Sequence, residues 1–379
     1  MFQLLKEFTV GRPQIFAGLM LLAFLAQCLW TAESRKISPL EYQYMLTGFS
    51  NSAGAGVETA SPFTSLVATV PLRVIRLLRQ FGPQSWNAAL ALPRPWVLRL
   101  PFVIFGVWLA GALWWVARRL FDDEGGYVAL ALYCSSPAMI KISSNIGPEI
   151  ILAWSILGLT YTAIGVAHTL YAPPRKWAPR IVILGLSIGF ALATAWWSFT
   201  LILLAFAYML YLSPGRRREA FVVVMSASAL GCIVLAVITW ITGTTGLSIH
   251  TMLAQKPTLE VLRNLAFPLS AQTEDYVLVF LFIVALTAYG SWPRARYFGN
   301  TAPLVSALAC VLLFSLVPAI HIWNATLGLT FVFIFIGGLA ADLLETRYRS
   351  YALVILIAGF AVRIVLTLLA LRGWVQNLM

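Results

Sequence analysis

Ile37-Ser38-Pro39-Leu40-Glu41-Tyr42-Gln43-Tyr44-Met45-Leu46-Thr47-Gly48 is the stretch around which the rest of the chain is organised. It follows closely on residues 14–31, an apolar run long enough to cross a bilayer, so it emerges at the membrane surface. Glu41 stands there among aromatic and apolar neighbours. Charge is scarce in this chain, and a carboxylate at the surface beside tyrosines is a candidate for chemistry or for headgroup binding. The alternative is a solvated loop residue.

The composition around that stretch excludes a soluble globular domain. Of 379 residues, 60% are hydrophobic and 11% charged, and the mean hydropathy is +0.85. The apolar runs are continuous rather than alternating, which predicts an all-α polytopic membrane protein of about 11 transmembrane helices, within a range of about 10–12. A single integral domain over residues 1–379, with no soluble C-terminal domain, is expected. The net charge of +12 and pI near 9.8 do not point to nucleic acid, because the basic residues sit in short loops between apolar runs. They read as topology signals and contacts with anionic lipid. Cys28, Cys134, Cys232 and Cys310 each fall inside an apolar run without CxxC spacing, as small buried residues do. Lys6 and Arg12 precede a first run that is long and has no small-residue cleavage site, so it reads as an uncleaved span.

Residues 33–99 form the longest connection in the chain. Within it, Ser61-Pro62-Phe63-Thr64-Ser65-Leu66 opens a basic amphipathic helix, with Arg73, Arg76 and Arg79 spaced by three among Val74, Ile75, Leu77 and Leu78. That pattern suits a helix lying in the interface. A second span is expected over residues 100–116. The following Asp122-Asp123-Glu124 reads as a turn neutralised by Arg118 and Arg119 rather than as a metal site. A third span is expected over 127–140 and a fourth over 150–170. Pro148 suits the first turn of the fourth, and Glu149 beside it suits the positive end of the helix dipole. Residues 181–212 read as a hairpin of short spans turning at Trp196-Trp197-Ser198. A seventh span covers 221–240, and a second long exposed segment, 241–275, carries His250. Four more spans begin near residues 276, 301, 323 and 351. The basic loops place the N-terminus in the cytoplasm, with the C-terminus and both long segments on the opposite side. Two long segments on one face can cover a cavity.

This order resembles the GT-C membrane glycosyltransferases, in particular the bacterial branch related to protein O-mannosyltransferases and to the aminoarabinose transferase of lipid A. Leu40-Glu41-Tyr42-Gln43-Tyr44 resembles the acidic pair that follows the first span of that family. Ser61-Pro62-Phe63 with Leu66 resembles its His-Pro-Pro-Leu-like stretch. Arg99-Leu100-Pro101 with Arg118-Arg119-Leu120-Phe121 resembles the frame of its second span, and Gly147-Pro148-Glu149 an element before its fourth. Residues 185–193 and 321–324 resemble a later hairpin and the basic start of a late span. The resemblance covers about three quarters of the chain, by motifs that are short. Three positions depart from it, one being Ala195-Trp196, where the hairpin's basic residue is missing. The family's catalytic acid corresponds to Leu40, and the histidine of its proline motif to Ser61.

The resemblance implies transfer of a sugar from a polyprenyl-phosphate donor at the non-cytoplasmic face of a bacterial inner membrane. Such a reaction needs a base for the acceptor and cations for the leaving phosphate. Glu41 and Glu149 are the candidate catalytic carboxylates. Arg73, Arg76, Arg94, Arg99 and His321 are the candidate phosphate-binding residues. No cofactor is required, and the family analogy allows a divalent metal at the phosphate, although no metal-ligand cluster is seen in the sequence. The expected partners are membrane lipids and the polyprenyl-phosphate sugar. A GT-C-fold subunit that has lost catalysis and serves a larger membrane complex is the alternative, favoured by Leu40 and Ser61. A transporter fits less well, since Arg363 is nearly the only intramembrane charge.

Overall fold

The computed structural model describes residues 13–47, 61–81, 94–173, 177–242, 275–316, 325–347 and 349–376. These residues are helical, with no strand among them. In chain order the helices are α1 (Pro13–Ser34), α2 (Pro39–Thr47), α3 (Pro62–Phe81), α4 (Pro95–Cys134), α5 (Pro137–Ser143), α6 (Pro148–Thr169) and α7 (Ala178–Thr194). They continue with α8 (Phe199–Leu212), α9 (Arg217–Thr242), α10 (Tyr276–Ser291), α11 (Phe298–Leu316), α12 (Ala325–Leu344) and α13 (Arg349–Gln376). Among the described residues, six helical segments are long and apolar enough to cross a membrane, and four shorter apolar helices accompany them.

The first six helices each begin at a proline. Proline has no N–H to leave unpaired in a first turn and its φ is already helical, so these starts are written in the sequence. The expected hairpin is present as α7, a 3-10 turn at Trp196–Ser198, and α8. The expected third span is corrected. The chain does not loop out over residues 118–126. Instead α4 breaks at Phe121 and Asp122, where Asp122 takes φ 60° and ψ −170°, and then resumes. That backbone region is costly for a residue with a side chain. Arg118 contacts Asp123 just past the break, and Arg349 Nη2 lies 3.5 Å from Glu124 Oε1. The same span stops at Cys134 rather than running to residue 140, because Ser136 caps a new helix that begins with Pro137.

The chain forms two compact units. One comprises residues 1–35, 106–144 and 257–379. In it α12 is almost wholly buried, and Tyr133 packs between Phe24 and Phe333 while its hydroxyl donates to the Gly106 carbonyl at 2.9 Å. The other comprises residues 36–105 and 145–256. Its core is built by α6, α7, α8 and α9 around Leu159, Leu184, Ile188, Met209 and Val223. Of the four cysteines, Cys28, Cys134 and Cys310 are buried, whereas Cys232 lies exposed on α9, a correction to the expectation that all four are internal.

Helices α7 and α9 meet through glycines. A Cβ on Gly189 would stand 2.6 Å from Val234 Cβ and 3.0 Å from the Gly231 carbonyl oxygen, and one on Gly231 would stand 2.6 Å from Ile188 Cγ2. Small residues permit this backbone approach, and dispersion rather than hydrophobicity must hold two helices together in lipid. Gly189→Leu is therefore expected to destabilise the second unit by about 1–3 kcal/mol. The check is thermal unfolding in detergent, with Gly290→Leu, which has open space around it, as the control.

Candidate functional site

Glu41 is held at α2 by local chemistry. Ser38-Pro39-Leu40-Glu41 forms a capping box: the Glu41 amide donates to Ser38 Oγ at 3.2 Å, and the Ser38 amide donates to Glu41 Oε2 at 2.8 Å. Pro39 fills the first helical position. The box aims the carboxylate inward, where it is only 5% exposed.

Arg99, near the start of α4 and fully buried, meets that carboxylate side-on. Its Nε donates to Oε1 and its Nη2 to Oε2, both at 2.8 Å, and Nη2 also donates to the Lys36 carbonyl at 2.8 Å. The Ile146 amide, in the turn before α6, donates to Oε1 at 3.0 Å. Four donors thus surround one carboxylate. Burial alone would raise its pKa, but the hydrogen bonds and charge of Arg99, with the Ser38 and Ile146 amides, hold it below the ordinary glutamate value.

Glu149 lies in the second position of α6, half-buried, on the same turn that reaches Glu41 through Ile146. A side chain at Gly147 would collide with Glu149 Oε2, so glycine leaves the room that the carboxylate occupies. No cation pairs with Glu149 among the described residues. Tyr44, buried on α2, feels its charge. Burial first, and then Glu149, push the Tyr44 phenol well above its usual pKa.

The remaining candidates are placed differently. Arg73 and Arg76 project from the exposed second half of α3, beside the exposed apolar side chains Val70, Val74, Leu77 and Leu78. Arg94 is exposed just before α4. His321 and His250 lie outside the described residues. Ser61 is a helix cap: its Oγ is 2.7 Å from Thr64 Oγ1 and accepts from the Thr64 amide. Leu40, at the position of the family acid, is 49% exposed. Sequence reasoning did not assign roles to Ser38, Lys36, Ile146 or Tyr44. The Ser-Pro-x-Glu capping signature could have found Ser38, whereas the backbone groups of Lys36 and Ile146 carry no residue-type signal.

Among the described residues no group of three or more His, Cys, Asp or Glu side chains could hold a metal ion, and the lone pairs of Glu41 are already engaged.

These features define an integral membrane protein of helices whose second unit builds a buried acid–arginine site at the start of α2 and α4. The fold is that of the GT-C membrane glycosyltransferases, and the comparisons with known proteins bear out that resemblance. The family model described as dolichyl-phosphate-mannose-protein mannosyltransferase matches residues 85–241. Among solved structures, the chain is similar to ArnT from Cupriavidus metallidurans in the apo state, at 15% identity and a TM-score of 0.57 over 89% of this chain. It spans 61% of that chain. It is also similar to the same protein bound to undecaprenyl phosphate, at 14% identity and a TM-score of 0.62, covering 96% of this chain and 72% of that one. No curated protein matches by sequence.

The lowered Glu41 pKa has a definite sign. A group whose folded pKa is depressed contributes stability that is present above its unfolded value, near 4.5 here, and lost as pH falls through the folded value. Melting in detergent between pH 7 and pH 3 should show wild type losing stability below about pH 4.5, and Glu41→Gln should lack that component of the acid loss. At pH 7, Glu41→Gln leaves a buried guanidinium without its counter-charge and should cost about 3–5 kcal/mol.

Proposed function

We propose that the protein is a GT-C-type glycosyltransferase that takes a sugar from a polyprenyl-phosphate donor and passes it to an acceptor on the non-cytoplasmic face of a bacterial plasma membrane. The single observation that carries this reading is the division of labour between two carboxylates, one on α2 and one at the start of α6, linked through the Ile146 amide. Glu41 is saturated by donors and frames the site, while Glu149 stands half-buried without a cation partner among the described residues. The fold shared with a structure of ArnT bound to undecaprenyl phosphate supports a polyprenyl-phosphate ligand.

In this reading the acceptor O–H or N–H gives its proton to Glu149 as its heteroatom attacks the anomeric carbon. The bond from that carbon to the phosphate oxygen breaks, and polyprenyl phosphate leaves as the anion. Arg73, Arg76 and Arg94 are the cations proposed to meet that phosphate, because they are exposed at the α3 and α4 ends and arginine binds phosphate in a bidentate manner. Arg99 serves the frame, its guanidinium being committed to Glu41 and Lys36.

A second reading has one specific observation behind it. The exposed Leu40 replaces the acid of the family motif, which suits a GT-C-fold subunit of a larger membrane complex without transfer activity of its own. Transfer of labelled sugar from a panel of polyprenyl-phosphate donors, in membranes containing the full chain, separates the two. Wild type should transfer label, and Glu149→Gln should reduce the rate by about 10²–10⁴-fold with the amount of folded protein unchanged. Glu41→Gln should reduce the amount of folded protein instead. Absence of transfer across the panel, with subunits co-purifying, would favour the second reading.

A further inference from the structure

A second buried ion pair lies in the first unit, remote in sequence from the carboxylates above. Arg363 of α13 and Asp275, the residue before α10, are 1% and 4% exposed. Arg363 Nε donates to Asp275 Oδ2 at 2.8 Å, and Nη2 donates to the same oxygen. The other Asp275 oxygen accepts the Leu278 amide at 3.0 Å and caps α10. Arg363 Nη1 donates to the Leu132 carbonyl at 2.6 Å and to Ser135 Oγ at 3.1 Å, so it satisfies acceptors that the end of α4 leaves open. One turn on, Thr367 Oγ1 donates to the Ser135 carbonyl at 2.7 Å, and the guanidinium sits 5.6 Å from the centre of the Phe333 ring on α12.

This network contrasts with the helix that carries it. Arg363 is about 21 Å along α13 from Arg349, well inside a span at 1.5 Å per residue. Within the described side chains of α13, Arg363, Thr367 and Leu371 are the fully buried ones. Val354, Ile357, Val365 and Leu369 are each more than half exposed, as suits contact with lipid tails. Lipid solvates an apolar helix as well as a neighbouring helix does, so apolar side chains give α13 little reason to prefer one seat. An arginine at that depth does have a reason, because hydrocarbon disfavours it strongly unless its donors are met.

We infer that the Arg363–Asp275 pair, with Ser135, Leu132 and Thr367, is the clasp that seats α13 on the first unit, and that α13 is a separable helix whose buried polar contacts are this one set, the pair of Arg349 with Glu124 at its start being largely exposed. Removal of the clasp frees α13 and leaves the other helices of the unit packed.

The test uses the full chain in membranes, with Cys232→Ala, and a reporter pair one turn from the clasp. Leu281→Cys and Gly359→Cys place thiols where Leu281 Cδ2 now lies 3.9 Å from a Cβ built on Gly359. Oxidation should link the pair when the clasp is intact, and Arg363→Lys should preserve the link. The decisive variant is Asp275→Leu with Arg363→Met, which removes both charges and leaves no unpaired charge in the membrane. Cys310, buried on α11, reports through its protection from maleimide whether the remaining helices stay packed. The expected result is at least a ten-fold loss of the link with Cys310 still protected. A link that persists in the double variant would overturn the clasp. Loss of the link together with labelling of Cys310 would overturn separability, since the pair would then hold the whole unit together.

Discussion

The interaction on which the second unit depends is the contact of Arg99 with Glu41 at nearly complete burial. A guanidinium and a carboxylate withdrawn from water have given up large hydration energies, and their attraction repays this only when the remaining donors and acceptors are met. Here they are met by backbone: the Ser38 and Ile146 amides on the acid and the Lys36 carbonyl on the arginine. Three stretches of chain that are distant in sequence, around residues 36–41, 99 and 146, are fixed together at this pair. The position of the turn that presents Glu149 follows from that fixing.

The same physics explains the first unit, with a different consequence. Arg363 also ends in a carboxylate, a carbonyl and a hydroxyl, yet it belongs to a helix that faces outward for most of its length. In the second unit a buried pair organises a site within a compact core. In the first it gives an apolar helix a defined seat where apolar contacts alone would give none. Glycine contacts such as Gly189 against Gly231 supply the complementary device, close approach without charge.

Much of the fold was legible because lipid removes alternatives: a spanning chain must satisfy its own backbone, and length plus hydropathy then locate the helices. Pro62 and Pro148 mark helix starts that the sequence reading used, and the Trp196 turn and the helix carrying Arg73, Arg76 and Arg79 also read correctly. The pairing of Arg118 with Asp123 at the elbow of Phe121 and Asp122 was legible, since an acidic triplet after two arginines reads as a neutralised turn, whereas the helix that continues through it and the contact of Arg349 with Glu124 were not. In the site, Glu41, Glu149 and Arg99 could be singled out by type. Their pairing could not, since sequence gives no distance between residues 58 positions apart. The burial of Asp275 beside Arg363 was hidden for the same reason, with 88 positions between them.

The capping box changes what Glu41 can be taken to mean. An acid retained two residues after a serine-proline helix start has a sufficient architectural reason to be there: it closes the box, neutralises Arg99 and receives the Ile146 amide. Its presence therefore says little about whether the chain catalyses anything, and the same holds for Ser61, which caps α3. The chemical question moves to the carboxylate whose oxygens are not saturated by donors. Leu40 cannot accept a proton and faces outward. Glu149, given room by Gly147 and set at the positive end of α6 beside Tyr44, suits the helix dipole and, unlike Glu41, is not saturated by donors. A site that holds such a group half-buried, with no counter-cation among the described residues, incurs a desolvation cost, and taking a proton from an attacking acceptor is a use consistent with it.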